Sequence, residues 1–251
     1  MYYIDTHCHI YKGACDNIEQ TILNSLNCNV RKMINCSEDL DTSREILKLA
    51  EHFNNILYPT VGIHPEYADE TSNMDIEAME EIIRNNKVYA IGEIGLDYYY
   101  TKENRTEQIE LFKSQLYLAQ KYNLPVIIHS REATKDTIDI LSMFNVKGII
   151  HSFSGSYETA QEYIKMGFLL GINGVVTFKN SNLKDVVSRI SLDNLVLETD
   201  SPFLAPHPLR GTVNSPQNIP IISDFLAELF GVTSDVIMSK TTENALRIFD
   251  I

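Results

Sequence analysis

The stretch IDTHCHI, residues 4–10, sets two histidines on either side of one residue. Successive side chains of an extended strand point to opposite faces, so His7 and His9 share a face and Cys8 turns away. Two adjacent imidazoles can chelate one ion. His64, His129 and His151 each fall at or just past the end of a short apolar run (ILYPTVGIH, PVIIHS, KGIIHS), and Glu93 and Asp200 end two more (VYAIGEIG, NLVLETD). Neutral imidazole binds Zn, Mn, Co, Ni or Fe and a carboxylate can span two cations, so four histidines with Glu93 and Asp200 suit two divalent metal ions. We assign His7, His9 and Asp200 to one ion, His129 and His151 to the other, and Glu93 as the bridge. The mixed donors fit an all-oxygen Mg site less well, without excluding Mg or Mn. Such pairs acidify a shared water and hold attacking and leaving oxygens during hydrolysis of phosphodiesters and amides. Asp200, able to bind a metal and take the water's proton, is the expected general base. Strand period sets Asp5 on the face of His7 and Glu198 on that of Asp200, either as acceptors orienting a histidine or as structural carboxylates.

The elements that must gather these residues alternate along the whole chain. Eight apolar runs, near 2–8, 31–36, 56–64, 88–95, 125–130, 147–152, 168–174 and 194–200, are separated by stretches of helical period. In 104–122, for example, Ile109, Phe112, Leu116 and Ala119 recur at helical spacing with charges between them. Others lie near 17–27, 38–54, 74–86, 133–144, 156–166 and 181–190, and a Pro-rich loop at 201–216 leads to helices near 216–230 and 233–249. Eight buried strands with helical crossovers predict an α/β fold, a (β/α)8 TIM-like barrel formed by residues 1–251 as a single domain, for which about 250 residues is the usual length. The alternative is an open doubly wound sheet, but HCHIYKGACD after the first run lacks the GxGxxG fingerprint. In a barrel the C-terminal strand ends converge on one rim, so residues dispersed in sequence cluster in space.

A formal charge of −13 argues against a broad basic surface that grips nucleic acid, although a local cluster of cations can still attract one phosphate. Cys8, Cys15, Cys28 and Cys36 have no CxxC spacing and fit reduced thiols better than a disulfide framework. No apolar run approaches the roughly 18 residues of a membrane span, and MYYIDTHC lacks the regions of a signal peptide. The expectation is a cytoplasmic protein with no membrane association and no obligate protein partner.

Seven segments in order resemble the TatD family of metal-dependent deoxyribonucleases, in the amidohydrolase-like group of barrels: IDTHCH, VGIHP (61–65), IGEIGLDYY (91–99), VIIHSREA (126–133), IIHSFSG (149–155), LETDSPFLAP (197–206) and RGTVNSP (210–216). The resemblance implies a TIM-like barrel with divalent metals at His7, His9, Glu93, His129, His151 and Asp200, the set reached from the residues themselves. It also implies cleavage of DNA, as a transient substrate trimmed from its 3′ end. On the substrate side His64 is read as a phosphate contact. Arg131 is either a bidentate phosphate ligand or a helix-capping partner of Glu132 or Asp136. Tyr98 either stacks on an unpaired terminal base or packs on a neighbouring loop. Arg210 either binds phosphate or holds its own loop. The chain departs from the family where Thr212 and Val213 stand at positions often basic, and where Ser152 replaces a frequent Cys. The competing expectations are a hydrolase of amides, lactones or aminoacyl esters on the same barrel, and a binding protein that has kept the fold.

Overall fold

The computed structural model describes residues 1–99 and 103–251. Eight parallel strands form one sheet in sequence order: β1 (Tyr3–Cys8), β2 (Val30–Asn35), β3 (Leu57–Val61), β4 (Ala90–Asp97), β5 (Val126–Arg131), β6 (Gly148–Ile150), β7 (Leu169–Ile172) and β8 (Leu195–Leu197). The ends of the sheet meet through a parallel bridge between Cys8 and Ser201, with Asp200 N donating to the His7 carbonyl at 2.9 Å and His9 N to that of Ser201 at 2.8 Å. Closure therefore sets the HxH stretch beside Asp200, nearly two hundred positions away in sequence.

The helices α1 (Ile18–Asn27), α2 (Leu40–His52), α3 (Asn73–Asn85), α4 (Arg105–Tyr122), α5 (Thr134–Leu141), α6 (Tyr157–Lys165), α7 (Leu183–Val187), α8 (Ile219–Phe230) and α9 (Ser234–Phe249) cover the sheet. Phe112, Leu116 and Ala119 on α4 are fully buried, as the periodicity predicts. The crossover after β7 holds the shortest helix of the set: α7 has 5 residues, where the sequence pattern over 181–190 predicts a helix more than one turn longer.

The barrel interior is built in layers. One residue from every strand, Ile4, Ile34, Tyr58, Ala90, Ile127, Ile149, Leu169 and Val196, joins Ile248 and Phe249 of α9 in one apolar cluster that closes the bottom. Two residues further along, the same face carries Thr6, Cys36, Thr60, Gly92, His129, His151, Gly171 and Glu198. Small and polar groups thus replace hydrocarbon as the strands rise towards the rim, and Gly171 is small for a reason. A Cβ there would lie 2.1 Å from Glu198 Oε2.

Candidate metal centre

His129, His151 and Asp200 follow the interior face of β5, β6 and β8 by simple alternation, from Ile127, Ile149 and Val196. His7 and Glu93 are out of phase with Ile4 and Ala90, and they reach the interior because β1 and β4 shift register between Asp5 and Cys8 and between Ile91 and Ile94. Glu93 is fixed there by its own N–H donating to the Ser37 carbonyl at 3.1 Å.

Four donor atoms converge over the end of β1. His7 Nε2 lies 3.1 Å from His9 Nε2, 3.3 Å from Glu93 Oε2 and 3.6 Å from Asp200 Oδ1. His9 Nε2 lies 3.8 and 3.7 Å from the same two oxygens. Ligands at about 2.1 Å from a tetrahedral zinc stand about 3.4 Å apart, so the His7–His9–Glu93 separations fit one small divalent cation, with Asp200 Oδ1 within 3.7 Å of both imidazoles. The other oxygen, Glu93 Oε1, faces His129 Nδ1 at 2.8 Å and His151 Nε2 at 3.7 Å. Glu93 therefore offers one oxygen to each of two groups of nitrogens.

The second group is less simply divided than the sequence suggests. Among the described residues, donors within reach of a common point are His7–His9–Glu93, His7–His151–Asp200 and His64–Glu93–His129. His151 stacks on His7 with ring centroids 3.5 Å apart, whereas its ring is 6.4 Å from that of His129. His64, expected to touch phosphate, lies with its ring 4.6 Å from His129 and joins the potential ligands.

Each histidine has an outer partner. His129 Nε2 meets Asp97 Oδ2 at 2.9 Å and His151 Nδ1 meets Glu198 Oε1 at 3.0 Å, whereas His7 Nδ1 faces Cys36 Sγ at 3.4 Å and His9 Nδ1 the Cys36 carbonyl at 3.2 Å. Such partners set ring orientation and donor strength. Glu198 is thereby the charge beside His151, its Oε1 accepting from Ser152 N at 2.6 Å. Asp5 accepts from the N–H groups of His7 and Thr199 and from the Thr199 hydroxyl, a backbone role that joins β1 to the end of β8. Asp97 and Cys36 were not picked out by sequence reasoning. Asp97 is four residues past Glu93, in GLDYY, and only the run of β4 to Asp97 shows that it reaches the rim.

Charge follows from these contacts. Burial opposes protonation of His129 and His151, but Asp97 and Glu93 raise the first to about 9, and Glu198, Asp200 and Glu93 raise the second to about 10. Burial together with the neighbouring His129 lowers His64 to about 3. Burial also pushes the carboxyls of Glu93 and Asp200 up, yet the surrounding histidines outweigh it and hold both below the usual range. Burial pushes Asp5 up to about 7.

The substrate-side residues separate. A cavity of about 530 Å³ opens above the cluster, and His64 and Arg131 line it. Arg131 sits 3.7 Å over the Tyr99 ring, and the Asp136 carboxylate is taken by Arg105 at 2.7 Å. Tyr98 sits as its packing alternative describes. Its N–H bonds the Arg131 carbonyl at 2.9 Å, which continues the β4 alternation and turns the side chain outward, where it is buried and donates to Asp136 at 2.8 Å. Arg210 lies outside the cavity lining, stacked over Phe178 at 4.0 Å, so its position fits holding the loop rather than binding phosphate. None of the four cysteines is paired, and no helix among the described residues is long and apolar enough to cross a membrane.

Comparison with known proteins agrees with this geometry. The family described as TatD related DNase matches residues 4–250. YabD of Bacillus subtilis, named an uncharacterized metal-dependent hydrolase, is 40% identical over 252 residues, covering 98% of each chain. YcfH of Escherichia coli, named in the same way, is 32% identical over 259 residues, covering 100% of this chain and 97% of its own. The crystal structure of YjjV, a TatD homolog from Escherichia coli, superposes with a TM-score of 0.93 at 29% identity, over 99% of this chain and 98% of that one. With the barrel, the donor set and the match running the length of the chain, the protein belongs to the TatD family of metal-dependent hydrolases.

Proposed function

We propose that the protein hydrolyses phosphodiester bonds with two divalent metal ions, as a 3′–5′ exonuclease on single-stranded or frayed DNA ends in the cytoplasm. The observation that carries the reading is Glu93, buried between two sets of imidazoles with Oε2 towards His7 and His9 and Oε1 towards His129 and His151. His7, His9 and Asp200 would hold one ion and His129 and His151 the other, with His64 in reach of the second group and Glu93 shared. Divalent cations bound there supply charge that polarises the phosphodiester and makes water acidic enough to attack at neutral pH.

The chain's own groups do the rest. Asp200 is ionised at neutral pH because the histidines hold its carboxyl down, and its side chain is 14% exposed at the cavity floor against 5% for Glu93. It is therefore the carboxylate placed to take a proton from the attacking water. Arg131 lines the same cavity and supplies a fixed positive charge for a phosphate oxygen. The DNA substrate is supported by the description of the matching family.

Purified protein stripped of metal and incubated with end-labelled single-stranded DNA, with and without Mn, Mg or Zn, is expected to shorten the strand progressively from the 3′ end only when metal is added. RNA of the same sequence measures the choice of sugar. Inertness towards DNA together with turnover of ester or lactone probes would replace this reading by that of an amide, lactone or aminoacyl-ester hydrolase on the same barrel.

A further inference from the structure

The cavity above the metal centre has two unlike walls. Histidines, carboxylates and Arg131, reaching from the end of β1 round to β6 and joined by Asp200 after β8, form one, and Val175, Phe203 and Leu204, from the loops after β7 and β8, form the other. Phe203 is the one Phe or Tyr among the described residues lining this space, and the residue is 57% exposed. Single exposed apolar side chains are ordinary on protein surfaces. This one is set on a backbone pinned at every step.

Phe203 N donates to the Asp200 carbonyl at 2.8 Å, closing a turn directly on a metal-facing residue. Buried Asn214 then donates from Nδ2 to the Phe203 carbonyl at 2.7 Å and to that of Thr199 at 2.9 Å, while its N–H bonds the Pro202 carbonyl at 2.9 Å. The next residue, Leu204, has φ +53, and its carbonyl passes so close to Gly174 that a Cβ there would come within 2.2 Å. On the inner side the Phe203 ring meets His9 edge-on, with centroids 6.4 Å apart. An aromatic face is thus held within one turn of the reacting centre, open to the cavity.

We propose that Phe203 is the stacking platform for the unpaired nucleobase next to the scissile phosphate, and so a residue that selects single-stranded ends. The inference rests on the nuclease reading above and adds to it how the base is recognised. A phosphate drawn to the charged floor leaves its base against the apolar wall, and a planar base covers a phenyl ring without any need for sequence-specific hydrogen bonds. Inside a duplex both faces of a base are covered by its neighbours, and a terminal base, though open on one face, is held by its pairing partner, so a base that has frayed from its pair is the one free to turn onto the ring. Tyr98 is turned away from this space, which leaves the role expected of it to a residue on the opposite side of the barrel mouth, since β4 and β8 stand four strands apart in a ring of eight.

The test is a cycle that removes the ring, the base, or both. KM and kcat of wild type, Phe203→Ala and Phe203→Tyr are measured on a single-stranded oligothymidylate and on the same strand ending in two stable abasic units, with bound metal determined for each protein. Stacking on an aromatic side chain is worth about 1–3 kcal/mol per base, so Phe203→Ala should raise KM on the normal strand by about tenfold. Metal content should be unchanged, Phe203→Tyr should stay close to wild type, and Phe203→Ala should make no further difference on the abasic strand. Equal KM for wild type and Phe203→Ala on the normal strand, or an undiminished loss on the abasic strand, overturns the assignment and leaves the nuclease standing. A wild-type enzyme that neither binds nor cuts DNA removes both.

Discussion

Glu93 and Asp200 are both buried carboxylates among histidines, yet they should fail differently. Glu93 faces His7 and His9 with one oxygen and His129 and His151 with the other, so Glu93→Ala is expected to lose bound metal and activity together. Asp200 contacts His7, His9 and His151 through one oxygen and has the more open side chain. Asp200→Asn should fold normally and lose roughly 10²-fold or more in kcat, as proton acceptor and ligand are weakened together. Metal analysis beside a single-turnover assay separates the two, and full activity in either variant removes that residue from its role. The clustering of the residues proposed as ligands was legible in the sequence because each ends an apolar run, and strand ends in a barrel have one destination. Asp97, Cys36 and the rotation of Tyr98 were not, because they depend on which way a side chain turns after the strand has ended.

The strands and helices are tied at the rim by a device that local patterns do not reveal: a buried side-chain amide that satisfies both backbone groups of one residue on another element. Asn35 accepts from Ile10 N and donates to Ile10 O, both at 2.8 Å. Gln115 on α4 does the same for Ile63, at 2.8 and 2.9 Å, and Gln108 for Asp97, at 2.8 and 2.9 Å. The two glutamines share the buried face of α4 with Phe112 and Leu116, where periodicity alone expects hydrocarbon. They hold the residue before His64 and the carboxylate beside His129. Removing one partner of a buried hydrogen-bonded group costs about 1–3 kcal/mol per group stranded. Gln115→Leu keeps the volume and strands two, so thermal or urea unfolding should show a loss of about 2–6 kcal/mol, together with a metal site disordered on the His64 side. Unchanged stability would mean that water or a shifted helix satisfies Ile63. Backbone strain is gathered at the same rim, since Glu132, Ser152 and Asp200 have positive φ just past strand ends and Leu204 has one in the loop after β8. Such residues cost about 1 kcal/mol or more each and persist where the surroundings hold them.

At the scale of the molecule, closing the barrel places negative charge and imidazole in one enclosed volume of a protein whose net charge is already −13. The acidic surface suits brief contact with a chain end better than a long polyanion lying across it. Inside, His129 and His151 are raised to about 9 and about 10, against about 6.5 for an unfolded histidine. Groups raised in this way stabilise the metal-free fold fully below about pH 6.5, and that contribution fades as pH climbs through 9 and 10. A ligating imidazole must be neutral, so each of the two rings has to give up a proton when an ion binds at neutral pH. Metal uptake near pH 7.5 should therefore release about two protons per chain, and apparent affinity should rise steeply with pH until the rings are already neutral, near pH 10. Calorimetric titration of chelator-treated protein with Mn or Zn, in buffers of different ionisation enthalpy, reads the proton count directly. Heats that do not depend on the buffer would show that the rings are neutral before metal arrives, and that the carboxylates around them do not hold the site's charge in the way the geometry requires.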